Sequence, residues 1–305
     1  MILRTASDKK FHHSMFALAS VAAVILVMIF IYLLKLSWPS IEAEGLKFFV
    51  TEEWDPVKER FGAAAFIYGT LVSSLLALMM AVPLSLGVAL FLNEIAPTRV
   101  SQIVGFLVEM LAAIPSVVYG LWGIYFLAPF LRLHVQPVIG KNFGWIPLFD
   151  GPPYGVGMLA AGIILSIMIT PTITAICREV FKAIPSIDKE GALALGATRW
   201  EMITLSVLKS SRSGIFGAVV LGLGRALGET MAVTMLIGNK NEISFSLFAP
   251  AQTMASVIAN EYAEAATQHH ISALAYVGLA LFLVSLVIHL GARLFIMNRV
   301  SGGKK

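Results

Sequence analysis

Apolar runs long enough to cross a bilayer recur along the chain, and they constrain its fold more than any other feature. Of the 305 residues, 58% are hydrophobic and 13% are charged, about half the charged share of an ordinary soluble protein. A helix needs about 20 apolar residues to cross the hydrocarbon core. Because lipid cannot satisfy backbone polar groups, such runs must be helical. The sequence therefore predicts an all-α integral membrane protein with six transmembrane helices, at residues 15–34, 62–92, 102–131, 154–177, 214–238 and 271–297.

Two of these runs are long and contain a proline that could interrupt the helix, Pro83 in the second and Pro115 in the third. The first run follows three basic residues, as the apolar part of a signal peptide would. It is long, however, and the sequence Ser37-Trp-Pro after it offers no small-x-small cleavage site. We therefore expect a retained anchor helix.

The distribution of lysine and arginine predicts the orientation in the membrane. With six spans and a cytoplasmic N-terminus, the inner segments hold 14 basic residues and the outer segments hold 7, while Arg225 lies in a span. Ten of the eighteen acidic residues fall outside, six of them between Glu42 and Glu59. Both termini are therefore predicted in the cytoplasm. The net charge of +4 reflects this topology and does not indicate a nucleic-acid partner.

Arg225 and Glu229 are the only charged residues between positions 214 and 238. A charged group at bilayer depth costs about 2.5–3.5 kcal/mol on insertion scales and usually marks an ion or substrate path. At spacing i, i+4 on one helix the two side chains would share a face and could pair. A structural ion pair is one interpretation, but we favour a translocation path. The same face carries small residues that leave room for a ligand or a close-packed helix: Ala218, Gly222, Gly228 and Ala232.

Glu109 is a second acidic residue inside a predicted span. It either lines the path or hydrogen-bonds to a neighbouring helix, and the sequence does not separate the two.

Several kinds of chemistry find no support in the sequence. Cys177 is the only cysteine, and the six histidines show no metal-ligand spacing with carboxylates, so we expect no metal site. The glycines at 222, 224 and 228 are one residue too widely spaced for a dinucleotide fingerprint, and no P-loop motif occurs. We expect no cofactor and no catalytic residue, and we expect that this chain does not itself bind ATP through a P-loop.

The segment 178–213 is predicted to form two short amphipathic helices on the cytoplasmic side. Pro185-Ser186 supplies a turn and a cap, Gly196 ends the first helix, and Thr198 with Glu201 forms a capping box for the second. An ordinary cytosolic hairpin is one interpretation. A docking element is the other, since the apolar residues Ile187, Leu193 and Leu195 would otherwise face water.

The run Glu190-Gly-Ala-Leu-Ala-Leu-Gly196 resembles the E-A-A-x-x-x-G loop of bacterial ABC importer permeases. Glu190, Ala192, Gly196 and Leu208 match that pattern. Departures from it occur at Gly191, Ser206 and Lys209, the last of which replaces a proline. The resemblance implies that the matching residues couple this chain to an ATPase.

Three further strings narrow the resemblance to the C-type permeases of bacterial phosphate-specific ABC transport systems. They are LAAIPSVVYG at 111–120, LGLGRALGETMAV at 221–233 and ANEYAEA at 259–265. The resemblance implies a MetI-like importer permease domain over 62–297 in the bacterial inner membrane. An anchor helix and outer loop over 1–61 would precede it, and a cytoplasmic tail over 298–305 would follow.

The resemblance also implies partners: a homologous A-type permease, two copies of a cytoplasmic ABC ATPase and a periplasmic phosphate-binding protein. It implies that Arg225 and Glu229 matter for phosphate passage, which fits the bidentate binding of phosphate by guanidinium. Glu229 would repel a dianion unless it pairs with Arg225 or accepts a proton from phosphate, an acceptor that would disfavour sulfate. The alternatives are an importer for another oxyanion, such as sulfate or molybdate, and a secondary transporter or channel with no need of a docking loop.

Overall fold

The computed structural model describes the backbone of residues 6–301 and the side chains of residues 11 and 13–294. Within these residues the protein is almost entirely helical, with only isolated bridges, between Asp55 and Arg60 and between Gly238 and Ala251. Residues 302–305 of the expected tail lie outside the described part, and the last helix continues as far as Ser301.

Eleven helices set the architecture, and short 3-10 turns at Gly45–Phe49 and Pro147–Phe149 accompany them. Helix α2 continues through one π turn at Phe91–Ile95, α4 contains two π turns, and α7 runs on into a π segment at Ile203–Leu208. The helices are α1 (Ala6–Glu44), α2 (Ala64–Leu90), α3 (Thr98–Ala113), α4 (Ser116–Phe143), α5 (Met158–Lys182), α6 (Ser186–Ala194), α7 (Arg199–Met202), α8 (Arg212–Leu227), α9 (Met231–Leu236), α10 (Met254–Glu261) and α11 (Gln268–Ser301).

In the described chain, five helices are long and apolar enough to cross a membrane, and together they make this a multi-pass membrane protein. They are α1, α2, α4, α5 and α11. The predicted fifth span, 214–238, is divided into α8 and α9 by a break at residues 228–230. The predicted count of six uninterrupted spanning helices is therefore not confirmed.

The predicted third span, 102–131, combined parts of two helices. Helix α3 ends at Ala113, Ile114 and Pro115 are extended, and α4 begins at Ser116. The cause is local, because a proline disfavours helical backbone in the residue before it. Pro83, in contrast, leaves α2 continuous.

The centre of the molecule is built on α5, which packs closely against α2, α8 and α3. Small residues permit this closeness: Ala77, Ala81 and Ala89 of α2 are buried in the same core as Ile169 and Ile173 of α5. Helix α4 packs on α9 in the same way, since a Cβ atom at Gly120 would lie 2.6 Å from the Met235 sulfur.

The N-terminal region is fastened to α11 on the side that the charge distribution predicts to be outside. Helix α1 packs along α11, and the Glu44 carboxylate lies 2.9 Å from His269. The Trp54 indole donates to Glu261 at 2.8 Å, and the same carboxylate lies 3.1 Å from His270. Helix α1 thus packs against the rest of the described fold through α11.

Candidate functional site: a half-buried arginine and an exposed two-helix loop

Arg225 lies in the last turn of α8 and is held by a neutral partner. Its Nη1 donates to the Thr172 hydroxyl of α5 at 3.2 Å, and the side chain is half-buried. Thr172 follows Pro171 inside α5, at a depth where α5 and α8 are in contact. Sequence reasoning did not identify Thr172, because the contact joins positions far apart in the chain. Among the described residues, no carboxylate forms a salt bridge with Arg225.

The prediction that Arg225 and Glu229 share one helix face at spacing i, i+4 is wrong. Helix α8 ends at Leu227, and Glu229 lies in the break that follows. Its carboxylate accepts a hydrogen bond from the Ala232 backbone amide at 3.3 Å, which places it over the start of α9. The two charged residues remain near each other in sequence, but they do not share a continuous helix face.

The stripe of small residues is also divided. Ala218 and Gly222 are buried, and a Cβ atom at Gly222 would lie 2.7 Å from Ile173 of α5, so this half serves helix packing. Gly228 is exposed, and a Cβ atom there would meet only the Gly224 carbonyl oxygen, at 3.7 Å. Open space therefore lies beside the break and next to Glu229.

Glu109, near the end of α3, is paired with a buried arginine. Its Oε1 lies 3.4 Å from Nη1 of Arg178 on α5, and the exposed side-chain fractions are 63% for Glu109 and 9% for Arg178. The guanidinium packs over Gly105, where a Cβ atom would lie 2.4 Å from Nη1. This geometry favours the helix–helix interpretation of Glu109 over the path-lining one.

The segment 178–213 has the two-helix form that its sequence predicts. Helix α6 begins at Ser186 directly after Pro185, and Gly196 follows it with a φ of +87°. Thr198 and Glu201 form the capping box at α7, and the hydrogen bonds from the Thr198 backbone and hydroxyl hold the pKa of Glu201 below its ordinary value. The second helical segment, including its π turn, reaches Leu208 as expected.

The side of this loop that is predicted to dock is apolar and exposed. Ile187 and Leu193 of α6 are exposed, and Leu195 is 92% exposed. Of the motif residues, Glu190 and Gly196 are exposed, whereas Ala192 and Leu208 pack partly against the main core. The four matching residues thus divide into two that face outward and two that hold the loop to the bundle.

Comparison with known proteins decides the family. The family of binding-protein-dependent transport system inner membrane components matches residues 81–300. A phosphate transport system permease protein PstC from Mesorhizobium japonicum is 47% identical over 296 residues, covering 96% of this chain and 90% of that protein. The PstC of Pasteurella multocida is 47% identical, covering 86% of this chain and 83% of the relative.

This chain belongs to that family of transport permeases, in the PstC group.

A third relative carries the same name. A probable PstC from Methanocaldococcus jannaschii is 41% identical, covering 83% of this chain and 82% of the relative. As a member of a transport permease family, the chain is a membrane component of a transporter.

Solved structures confirm the MetI-like permease fold for this chain. A chain of a bacterial alginate ABC transporter, solved with a pentasaccharide-bound periplasmic protein, aligns with a TM-score of 0.62 at 20% identity. The alignment covers 95% of this chain and 96% of that chain. A chain of the inward-facing MetNI methionine ABC transporter aligns with a TM-score of 0.59 at 16% identity. That alignment covers 77% of this chain and 94% of the MetNI chain.

Proposed function

We propose that this chain is the permease subunit of an ATP-driven phosphate importer, in which Arg225 and Glu229 contact the passing anion. The observation that carries the proposal is the state of Arg225. Its guanidinium is half-buried in the membrane region and bonded only to the neutral Thr172 hydroxyl among the described contacts. Its charge is therefore not neutralised by a carboxylate and remains available to an anion.

The choice of phosphate rests on the family and on the site chemistry. The PstC relatives carry phosphate transport in their names, which favours phosphate over sulfate or molybdate. Guanidinium offers a planar pair of donors that matches phosphate oxygens. In this proposal Glu229, which lies beside the open space at Gly228, accepts a hydrogen bond from a protonated phosphate oxygen.

The transporter complex that the family implies contains further chains. We propose that a homologous permease completes the path, that a periplasmic phosphate-binding protein delivers the anion, and that two copies of an ABC ATPase bind from the cytoplasm. Exposed apolar residues on α6 and the Glu190–Gly196 motif support α6 as the contact with that ATPase. Glu109 belongs to the helix packing near the path in this proposal, through Arg178.

Replacement of Arg225 tests the proposal. Arg225→Gln should reduce phosphate uptake at least about tenfold, since a hydrogen bond to a charged group contributes about 1.5–3 kcal/mol. Arg225→Lys should also be impaired, because the point charge of an ammonium group cannot reproduce the two-donor, planar geometry of guanidinium. Uptake would be measured in a phosphate-limited strain that lacks other phosphate importers. Arg212→Gln is the matched control, as it removes the same charge from the exposed first residue of α8.

Full uptake by Arg225→Gln, with normal expression, would contradict the proposed contact with the anion. The charge exchange Arg225→Glu with Glu229→Arg is expected to remain inactive, because the break after Leu227 separates the two positions. Restored uptake in that double variant would indicate a structural pair instead.

A further inference from the structure

A nearly buried ion pair connects α6 to the inner end of α2. Lys189 Nζ lies 2.6 Å from Glu94 Oε1, and the exposed side-chain fractions are 20% and 6%. The amide of Asn93 donates to the same Glu94 oxygen at 2.7 Å. Glu94 belongs to the π turn at Phe91–Ile95 that ends α2.

This pair differs from the other ion pairs near the cytoplasmic side. Lys182 and Glu179 lie 2.7 Å apart within one helix, and both side chains are largely exposed, so solvent screens their attraction. Lys189 and Glu94 are 95 positions apart in the sequence and are shielded from water. Removing one partner of such a pair leaves an uncompensated buried charge, so the contact is held firmly.

The pair lies where it can connect the motif-bearing helix α6 to the membrane-spanning helix α2. Lys189 directly precedes Glu190 of the motif, in a helix whose outward side is exposed. One other described hydrogen bond joins this part of α6 to a neighbouring segment. In it the Ser206 hydroxyl donates to the Asp188 carbonyl, so it stays within the loop. The ion pair is thus a direct polar connection from α6 to a membrane-spanning helix that itself packs along α5 and α8.

We propose that Lys189 and Glu94 are positioning residues that transmit movement of α6 to α2. A displacement of α6 at the ATPase would then pull on the end of α2 directly, as well as reaching the bundle through the covalent connections to α5 and α8. This inference rests on the proposed function, because it takes α6 as the ATPase contact.

The test uses the complete importer, reconstituted with its partner chains in vesicles, and measures phosphate transported per ATP hydrolysed. Glu94→Gln and Lys189→Met remove one charge each with little change of shape. Each should lower this coupling ratio about tenfold while the complex still assembles. Lys189→Arg keeps the charge and should couple normally. Lys182→Met and Glu179→Gln, which break the exposed pair, are the matched controls and should have no effect.

A second measurement distinguishes failure of this inference from failure of the proposed function on which it rests. Leu195→Cys, in a Cys177→Ser background, should cross-link to the ATPase with and without Glu94→Gln. Unchanged coupling in Glu94→Gln and Lys189→Met, with the cross-link intact, would overturn the proposed link alone. Absence of the cross-link in the otherwise unaltered chain would overturn the coupling role of α6, and the link with it. Failure of both neutral variants to assemble would show a folding requirement and would likewise overturn it.

Discussion

At the residue scale, Gly196 is the position where the backbone itself restricts the sequence. Its φ is +87°, a backbone angle that residues with a side chain rarely adopt. A Cβ atom there would meet nothing within 4 Å, so the restriction comes from the backbone and not from crowding. A left-handed backbone costs a residue with a Cβ atom about 1–2 kcal/mol. Gly196→Ala should therefore disturb the turn between α6 and α7, and lower phosphate uptake per ATP without loss of expression. A bulky Gly196→Trp should uncouple more completely, because its side chain would project toward the ATPase.

Gly191 supplies the control for this prediction. It also has open space around it, but its backbone is ordinary helix, and the family motif has alanine there. Gly191→Ala should preserve coupling and stabilise α6 by about 0.5–1 kcal/mol. Equal behaviour of the two alanine variants would refute the role of the turn geometry.

Thr172 gives a second prediction at this scale. Its hydroxyl is the hydrogen-bond partner of Arg225, at 3.2 Å. Thr172→Val keeps the shape but removes the acceptor, and the loss of one such bond is worth about 1 kcal/mol. Uptake assays should show a several-fold decrease, chiefly as a higher KM for the delivered substrate. Thr172→Ser retains the hydroxyl and should transport normally. A serine variant as weak as the valine variant would point to packing instead.

At the element scale, local signals predicted the two-helix segment 178–213 well. Pro185, Gly196 and the Thr198–Glu201 capping box each act within a few residues, so the boundaries of α6 and α7 follow from them. Ser186 is the first helical residue and not the cap that was expected, a shift of one position.

The break between α8 and α9 could not be predicted in the same way. Residues 214–238 form one apolar run, and nothing local requires the helix to stop after Leu227. Two contacts accommodate the break: the Ala232 amide donates locally to Glu229, and α4 packs closely on α9 in a tertiary contact. Pairs such as Arg178 with Glu109, 69 positions apart, are equally invisible to a periodic pattern.

The packing of α4 on α9 leads to a prediction about this element. A Cβ atom at Gly120 would lie 2.6 Å from the Met235 sulfur and 3.2 Å from the Ala232 Cα. Gly120→Val should overpack this contact at a cost of about 1–3 kcal/mol, which thermal unfolding of the solubilised complex would record. Gly87→Val, in a helical position with nothing within 4 Å, should change the unfolding temperature much less. Similar shifts of the unfolding temperature in both variants would attribute the destabilisation to the helix propensity of valine and not to overpacking.

At the scale of the whole molecule, the charge bias predicts an orientation in the membrane. The 14 to 7 distribution of basic residues predicts the α6–α7 loop inside and the loop after α1 outside. The structure makes this testable, because Glu52 and Lys209 are both exposed. In a Cys177→Ser background, a membrane-impermeant thiol reagent applied to spheroplasts should modify Glu52→Cys and leave Lys209→Cys untouched. Lysis should then expose Lys209→Cys to the reagent, which shows that sidedness and not burial protects it. The reverse pattern would invert the molecule and remove α6 from the reach of a cytoplasmic ATPase.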